Sequence, residues 1–140
     1  MSRFVLDNTV TMAWCFGDEA TPFTESLLSR LASLTDSAIV PALWLYEVVN
    51  VTGLAVRKGR ITEEKANAFL ESLADLPIEI EDPTRTRMFV SVRALVGRYK
   101  LTAYDASYLE TAIRHDLPIA ALDNALTKAA LEAGVNLVQL

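Results

Sequence analysis

The chain has 140 residues, about half of them hydrophobic, and its 18 acidic against 13 basic side chains give a formal net charge of −5. That length and apolar share fit one folded domain with a sizeable core and exclude a disordered chain. The acidic balance argues against a static nucleic-acid coat, but it leaves room for an enzyme whose acids hold metal ions, because a bound cation reverses the local field.

In chain order, Phe4-Val5-Leu6 is a short apolar run closed by Asp7, which reads as a buried parallel strand. Asn8, Thr9 and Thr11 open a turn into a brief helix through Trp14, broken at Gly17-Asp18-Glu19. Pro22 starts a second helix whose Phe23, Leu27, Leu28, Leu31 and Leu34 are spaced for one apolar face. Ala38-Ile39-Val40, ended by Pro41, is the second buried strand. Leu43 to Lys58 is a strongly apolar helix that closes on Arg57-Lys58-Gly59. Thr62 caps the next helix, with Glu63 and Glu64 in its favourable first turn.

Pro77 to Glu81 alternates, Ile78 and Ile80 against Glu79 and Glu81, as an edge strand with one wet face does. Asp82-Pro83 starts a helix that carries Met88, Val92, Leu95 and Val96 inward and Arg85, Arg87, Arg93 and Arg98 partly outward. Thr102 is a good N-cap for a helix reaching His115. Asp105 falls at N3, where a carboxylate reaches back to the cap's own N–H and meets the positive end of the helix dipole. Pro118 to Leu122 is a fourth strand ending at Asp123, Ala125 to Ala133 the last helix with Gly134 after it, and Val135 to Leu140 a closing strand.

Strands separated by helices specify an α/β fold over residues 1–140: a central, mostly parallel sheet of about five strands with helices on both faces. No repeat, linker or low-complexity tract interrupts it. The single cysteine, Cys15, lies between Trp14 and Phe16 and reads as a buried thiol, which excludes a disulfide framework and points to a reducing compartment. No secretory signal is expected ahead of Phe4, and Ala38 to Val56 carries Pro41, Glu47, Asn50 and Gly53, a poor membrane span. A soluble cytoplasmic protein is expected. The lone histidine, His115, follows Arg114 near a helix C-terminus and reads as a surface residue.

In a parallel α/β sheet the ligand site lies at the carboxyl ends of the strands. Asp7 and Asp123 stand at such ends, Glu47 lies about two turns past the second strand, and Asp105 opens the helix that feeds the fourth. All four acids can point to one edge. Asp7, Asp105 and Asp123 also suit plain capping. Glu47 does not: its helical neighbours Leu43, Trp44, Asn50 and Val51 offer no cation, and an unpaired buried carboxylate is costly. Carboxylates without a ligating His or Cys select a hard cation, Mg²⁺ or Mn²⁺ rather than zinc. Such an ion orients a water and stabilises charge on a phosphodiester. Thr9 and Thr102 offer supporting hydroxyls, and Asn50, one turn beyond Glu47, is placed to orient that carboxylate.

Phe4-Val5-Leu6-Asp7 with Thr9 and Val10, Trp44 with Glu47-Val48-Val49-Asn50, the stretch Leu101 to Leu109 centred on Tyr104-Asp105-Ala106, and Leu122-Asp123 with Ala129-Ala130 and Gly134-Val135 together resemble the PIN-domain family. The likeness spans nearly the whole chain and is strongest to the VapC-type toxins of toxin–antitoxin pairs. It implies a Mg²⁺- or Mn²⁺-dependent endoribonuclease that hydrolyses RNA phosphodiesters with a metal-activated water. Asp7, Glu47, Asp105 and Asp123 match the family's catalytic, metal-holding acids, and Thr9 stands where the family often has Ser. Ala121 departs from the pattern, since many relatives place Thr or Ser before the last acid, and Asp123 is the least secure direct ligand for that reason. The resemblance also implies a homodimer and a small VapB-like antitoxin whose C-terminal segment fills the acidic groove.

Two other readings differ in class. A PIN-like module that only binds a partner would lack activity. A receiver-like phosphoacceptor domain would need a lysine ending a late strand, and none ends the last one here.

Overall fold

The computed structural model describes residues 2–140. Four strands, β1 (Ser2–Leu6), β2 (Asp36–Pro41), β3 (Ile78–Glu81) and β4 (Ile119–Ala120), form one sheet in the order β3-β2-β1-β4, with every pairing parallel. The two most apolar runs take its centre: Phe4, Val5, Leu6, Ala38, Ile39 and Val40 are buried almost completely. That suits strands covered on both faces. Helices α1 (Asn8–Ala13) and α2 (Pro22–Ala32) join β1 to β2, and α3 (Leu43–Arg57) and α4 (Glu63–Ala74) join β2 to β3. A π-helical turn, Arg87–Val92, leads into α5 (Arg93–Tyr99); α6 (Ala103–His115) then carries the chain to β4, and α7 (Asn124–Glu132) follows. The first two crossovers step one way along the sheet and the third steps back over it, so right-handed connections place helices on opposite faces. Helix α6 lies across β1, β2 and β4.

The caps follow the sequence. Thr21, Thr62 and Thr102 each accept from the backbone N–H three residues on, and Pro22 opens α2. Gly134, at φ 80°, ends α7 in the left-handed region that glycine adopts without strain.

Four local expectations are corrected. The closing strand Val135 to Leu140 shrinks to one parallel bridge, Leu137 on Ile119, because two-residue β4 presents only Ile119's N–H and C=O, which bond Asn136 and Val138. The fifth helical segment begins after Thr84, not at Asp82-Pro83, since the Thr84 hydroxyl accepts from the Arg87 N–H at 3.2 Å. Leu34 is exposed rather than part of α2's apolar face, because the chain has left the helix at φ 60°. In β3 the wet face is incomplete: Ile80 is partly exposed, while Glu81 turns toward Arg114.

Candidate active site

Asp7 leaves β1 and caps α1: its Oδ2 accepts from the Thr9 backbone N–H at 3.2 Å and from the Thr9 hydroxyl at 2.5 Å. The same hydroxyl accepts from the Leu122 N–H at 2.9 Å, and the Asp7 N–H donates to the Ala120 carbonyl at 2.9 Å. The exits of β1 and β4 are thereby tied together. At this point the chain leaves β1 toward β2 and enters β4 from the other side, which is where open parallel sheets form a crevice.

Asp123, three residues past the end of β4, caps α7, its Oδ2 accepting from the Leu126 N–H at 2.9 Å. Asp105 sits in the first turn of α6, and Glu47 projects from the second turn of α3. The expected return bond from the Asp105 carboxylate to the cap does not form; only its N–H is used, donating to Thr102 Oγ1 at 3.1 Å. Thr102 therefore fixes the helix start and leaves the Asp105 carboxylate free to turn toward Asp123.

The four acids lie near enough to act on one another's charge, and three of them are shifted by it and by burial. Burial raises the Asp7 carboxyl above its ordinary value, and the Asp123 charge adds to the rise. Glu47 is raised by burial and by Asp7. Asp105 climbs furthest, to about 7, through burial first, then through a hydrogen bond shared with Asp123 and the charges of Asp123, Asp7 and Glu47. Among the described residues no Lys, Arg or His forms an ion pair with any of the four. Burial is the leading cause common to these shifts, and the charges of neighbouring acids add to it.

Glu47 finds its partner in a residue the sequence argument passed over. Tyr108, with no exposed surface, donates its hydroxyl to Glu47 Oε1 at 2.6 Å. Burial and the Glu47 charge hold that phenol well above its usual value, so it remains a donor. The signal was the three-residue spacing from Asp105, which puts both on one side of α6, but an aromatic at helical spacing reads equally well as core. Asn50, by contrast, is exposed and makes no hydrogen bond to Glu47 among the described residues, so it does not orient that carboxylate. His115 is half-buried rather than a plain surface residue, its Nε2 2.8 Å from Glu81 Oε2. Cys15 is buried and its thiol is raised by that burial.

The donor set fits a hard divalent cation: four carboxylates and neighbouring hydroxyls, without nitrogen or sulfur. Asp7, Glu47 and Asp123 each have one oxygen anchored by an N–H or hydroxyl donor, while the Asp105 carboxyl shares its hydrogen bond with another acid, Asp123. As the side chains stand, no three His, Cys, Asp or Glu among the described residues converge closely enough to hold an ion. Mutual repulsion of like charges opposes convergence, and a cation removes it. Leu43, Leu45, Tyr46, Val49 and Tyr104 line an open groove beside Glu47. No helix among the described residues is long and apolar enough to cross a membrane.

The fold is similar to PAE2754 from Pyrobaculum aerophilum at 18 % identity and a TM-score of 0.70, over 91 % of this chain and 79 % of that one. VapBC2 from Rickettsia felis, solved bound to a DNA fragment from their promoter, aligns at 13 % identity and TM-score 0.67 over 97 % of each chain. FitAcB from Neisseria gonorrhoeae aligns at 18 % identity and TM-score 0.62, over 97 % of this chain and 96 % of that one. At these identities the likeness speaks for the fold alone. No curated protein matches the sequence. The sequence itself matches the PIN domain over residues 4–132, a span that runs from β1 to the end of α7 and takes in all four acids. The chain belongs to the PIN-domain family.

Proposed function

We propose that this PIN domain is a Mg²⁺- or Mn²⁺-dependent endoribonuclease acting as the toxin of a type II toxin–antitoxin pair in the cytoplasm. The observation that carries the nuclease reading is the acid quartet at the crevice between β1 and β4, which no Lys, Arg or His pairs among the described residues and in which Asp7, Glu47 and Asp105 are raised in proton affinity. Asp7, Glu47, Asp105 and Asp123 would hold the ion. When bound, it supplies a more acidic water and neutralises charge growing on the phosphodiester.

The chain's own residues prepare that site. Thr9 fixes one Asp7 oxygen and the Leu122 backbone, which sets the spacing of the two strand ends. Thr102 fixes the start of α6 and with it the place of Asp105. Asp105 retains its proton up to about pH 7 without a cation, so loading the site at neutral pH releases that proton. Asp123, already occupied in capping α7, serves the cluster through the oxygen left free.

The toxin reading draws on the VapBC2 and FitAcB neighbours and on the motifs that resemble VapC-type toxins. It includes a VapB-like antitoxin, whose basic residue would meet the uncompensated acids, and a homodimer. Purified protein is incubated with mixed RNA, with and without Mn²⁺, beside an Asp105→Asn variant prepared identically. Cleavage that needs both the metal and Asp105 is expected. Equal cleavage by the variant would contradict the assignment, and absence of cleavage by antitoxin-free protein that binds Mn²⁺ would favour a PIN module that only binds a partner.

A further inference from the structure

Helix α6 carries three hydroxyls on buried residues, and they are used differently. Ser107 Oγ donates to the Ala103 carbonyl at 2.7 Å and Thr111 Oγ1 to the Ser107 carbonyl at 2.8 Å, each one turn back on its own helix. Tyr108 alone reaches another element, donating at 2.6 Å to Glu47, 61 residues away on α3. A buried phenol needs a partner, and a backbone carbonyl would serve. Here the partner is one of the four acids, and no other side-chain hydrogen bond holds that acid among the described residues.

We propose that Tyr108 is a positioning residue for the metal site: its hydroxyl fixes Glu47 Oε1, which orients the carboxylate and leaves Oε2 as the oxygen available to the ion. This rests on the reading of Glu47 as a metal-holding acid. One rigid helix then places two acids, Asp105 through its own backbone and Glu47 through Tyr108, three residues further on. Outer partners of this kind commonly set metal affinity by 10- to 100-fold.

The test is calorimetric titration of the antitoxin-free protein with Mn²⁺ alone, on the wild type, Tyr108→Phe, Glu47→Gln, the double variant and Thr111→Val. The last removes another buried α6 hydroxyl, away from Glu47. Tyr108→Phe is expected to weaken Mn²⁺ binding about 10-fold or more, Glu47→Gln at least as much, and the double variant no more than Glu47→Gln; Thr111→Val should bind as the wild type does. Binding unchanged in Tyr108→Phe, equal losses in Tyr108→Phe and Thr111→Val, or additive losses in the double variant would each overturn the proposal.

The failures are distinguishable. A wild type that takes up no Mn²⁺ removes the metal reading and this proposal with it. A Glu47→Gln variant that binds normally removes the Glu47 assignment on which the proposal stands. Should Tyr108→Phe not fold, NMR of the wild type carries the test: the proton of the buried Tyr108 hydroxyl, hydrogen-bonded to Glu47, should shift during a Mg²⁺ titration with the calorimetric midpoint. A proton that does not move would overturn the proposal.

Discussion

Asp105 and Glu110 stand on the same helix, and their surroundings are opposite. Glu110 accepts from the Arg114 guanidinium at 2.7 Å, and Arg114 also grips Glu81, which Arg87 approaches at 3.3 Å and His115 at 2.8 Å. Two carboxylates there face two guanidiniums, and the Glu81 carboxyl is held down at about 2, chiefly by Arg114. Asp105 faces Asp123, with Asp7 and Glu47 beyond, and rises to about 7. The chain therefore pairs its half-buried acids with arginine on one side of α6 and leaves them bare on the other. Bare acids held near one another oppose folding unless a cation compensates them, whereas the paired side carries its compensation within the chain.

Replacing Asp105 should break the comparison most strongly. Asp105→Asn is expected to lower Mn²⁺-dependent RNA cleavage on the order of 100-fold or more, read in the same RNA assay. On the paired side, Arg114→Met strands Glu110 and leaves Glu81 with only Arg87 and His115. With those groups partly screened by solvent, the loss should be about 1–3 kcal/mol, measured by urea unfolding, with Mn²⁺ affinity unchanged. Thr9→Val removes one anchor of Asp7 and the tie to Leu122. About 1 kcal/mol of stability should go with it, together with weaker Mn²⁺ binding in calorimetry.

The finest distinction is in pH. The Asp105 value of about 7 lies above the ordinary 3.8, so the folded chain keeps a proton that the unfolded chain has lost. Metal-free stability should accordingly fall as pH rises from about 4 to about 7 and level off above. Glu81, at about 2 against an ordinary 4.5, has the opposite sign: its contribution is full above about 4.5 and is lost as pH falls toward 2. Thermal melts of the metal-free protein between pH 5 and 7.5 isolate the first trend, and Asp105→Asn should flatten it.

Much of this was legible in the residues. The apolar run closed by Asp7 located one strand end, Asp123 the cap of α7, and Thr102 with Asp105 the start of α6, because capping and strand burial are local and leave marks in short stretches, while the expected strand Pro118 to Leu122 shrinks to Ile119–Ala120. Glu47 stood out because its own helix offers no cation. Tyr108 did not, since its meaning depends on a residue 61 positions away, and nothing local separates a phenol that donates to an acid from one that fills core. Asn50 was misjudged for the converse reason: proximity in sequence suggested a contact that its exposed position denies. The loss of the closing strand at Leu137 depended on the length of β4, which its partners set. Glu81 escaped the alternating pattern because Arg114, 33 residues on, compensates its charge.

Thermal unfolding at pH 7.5, above the Asp105 value of about 7, tests the central claim most directly, with wild type and Asp105→Asn each melted with and without Mn²⁺. Without metal the variant should melt above the wild type, because one of four mutually repelling carboxylates is gone. With saturating Mn²⁺ the order should reverse, the wild type gaining about 2.7 kcal/mol at 100 times its dissociation constant and the variant much less. A wild type indifferent to Mn²⁺ and no more fragile than Asp105→Asn without it would show that the quartet is not a bare cation site.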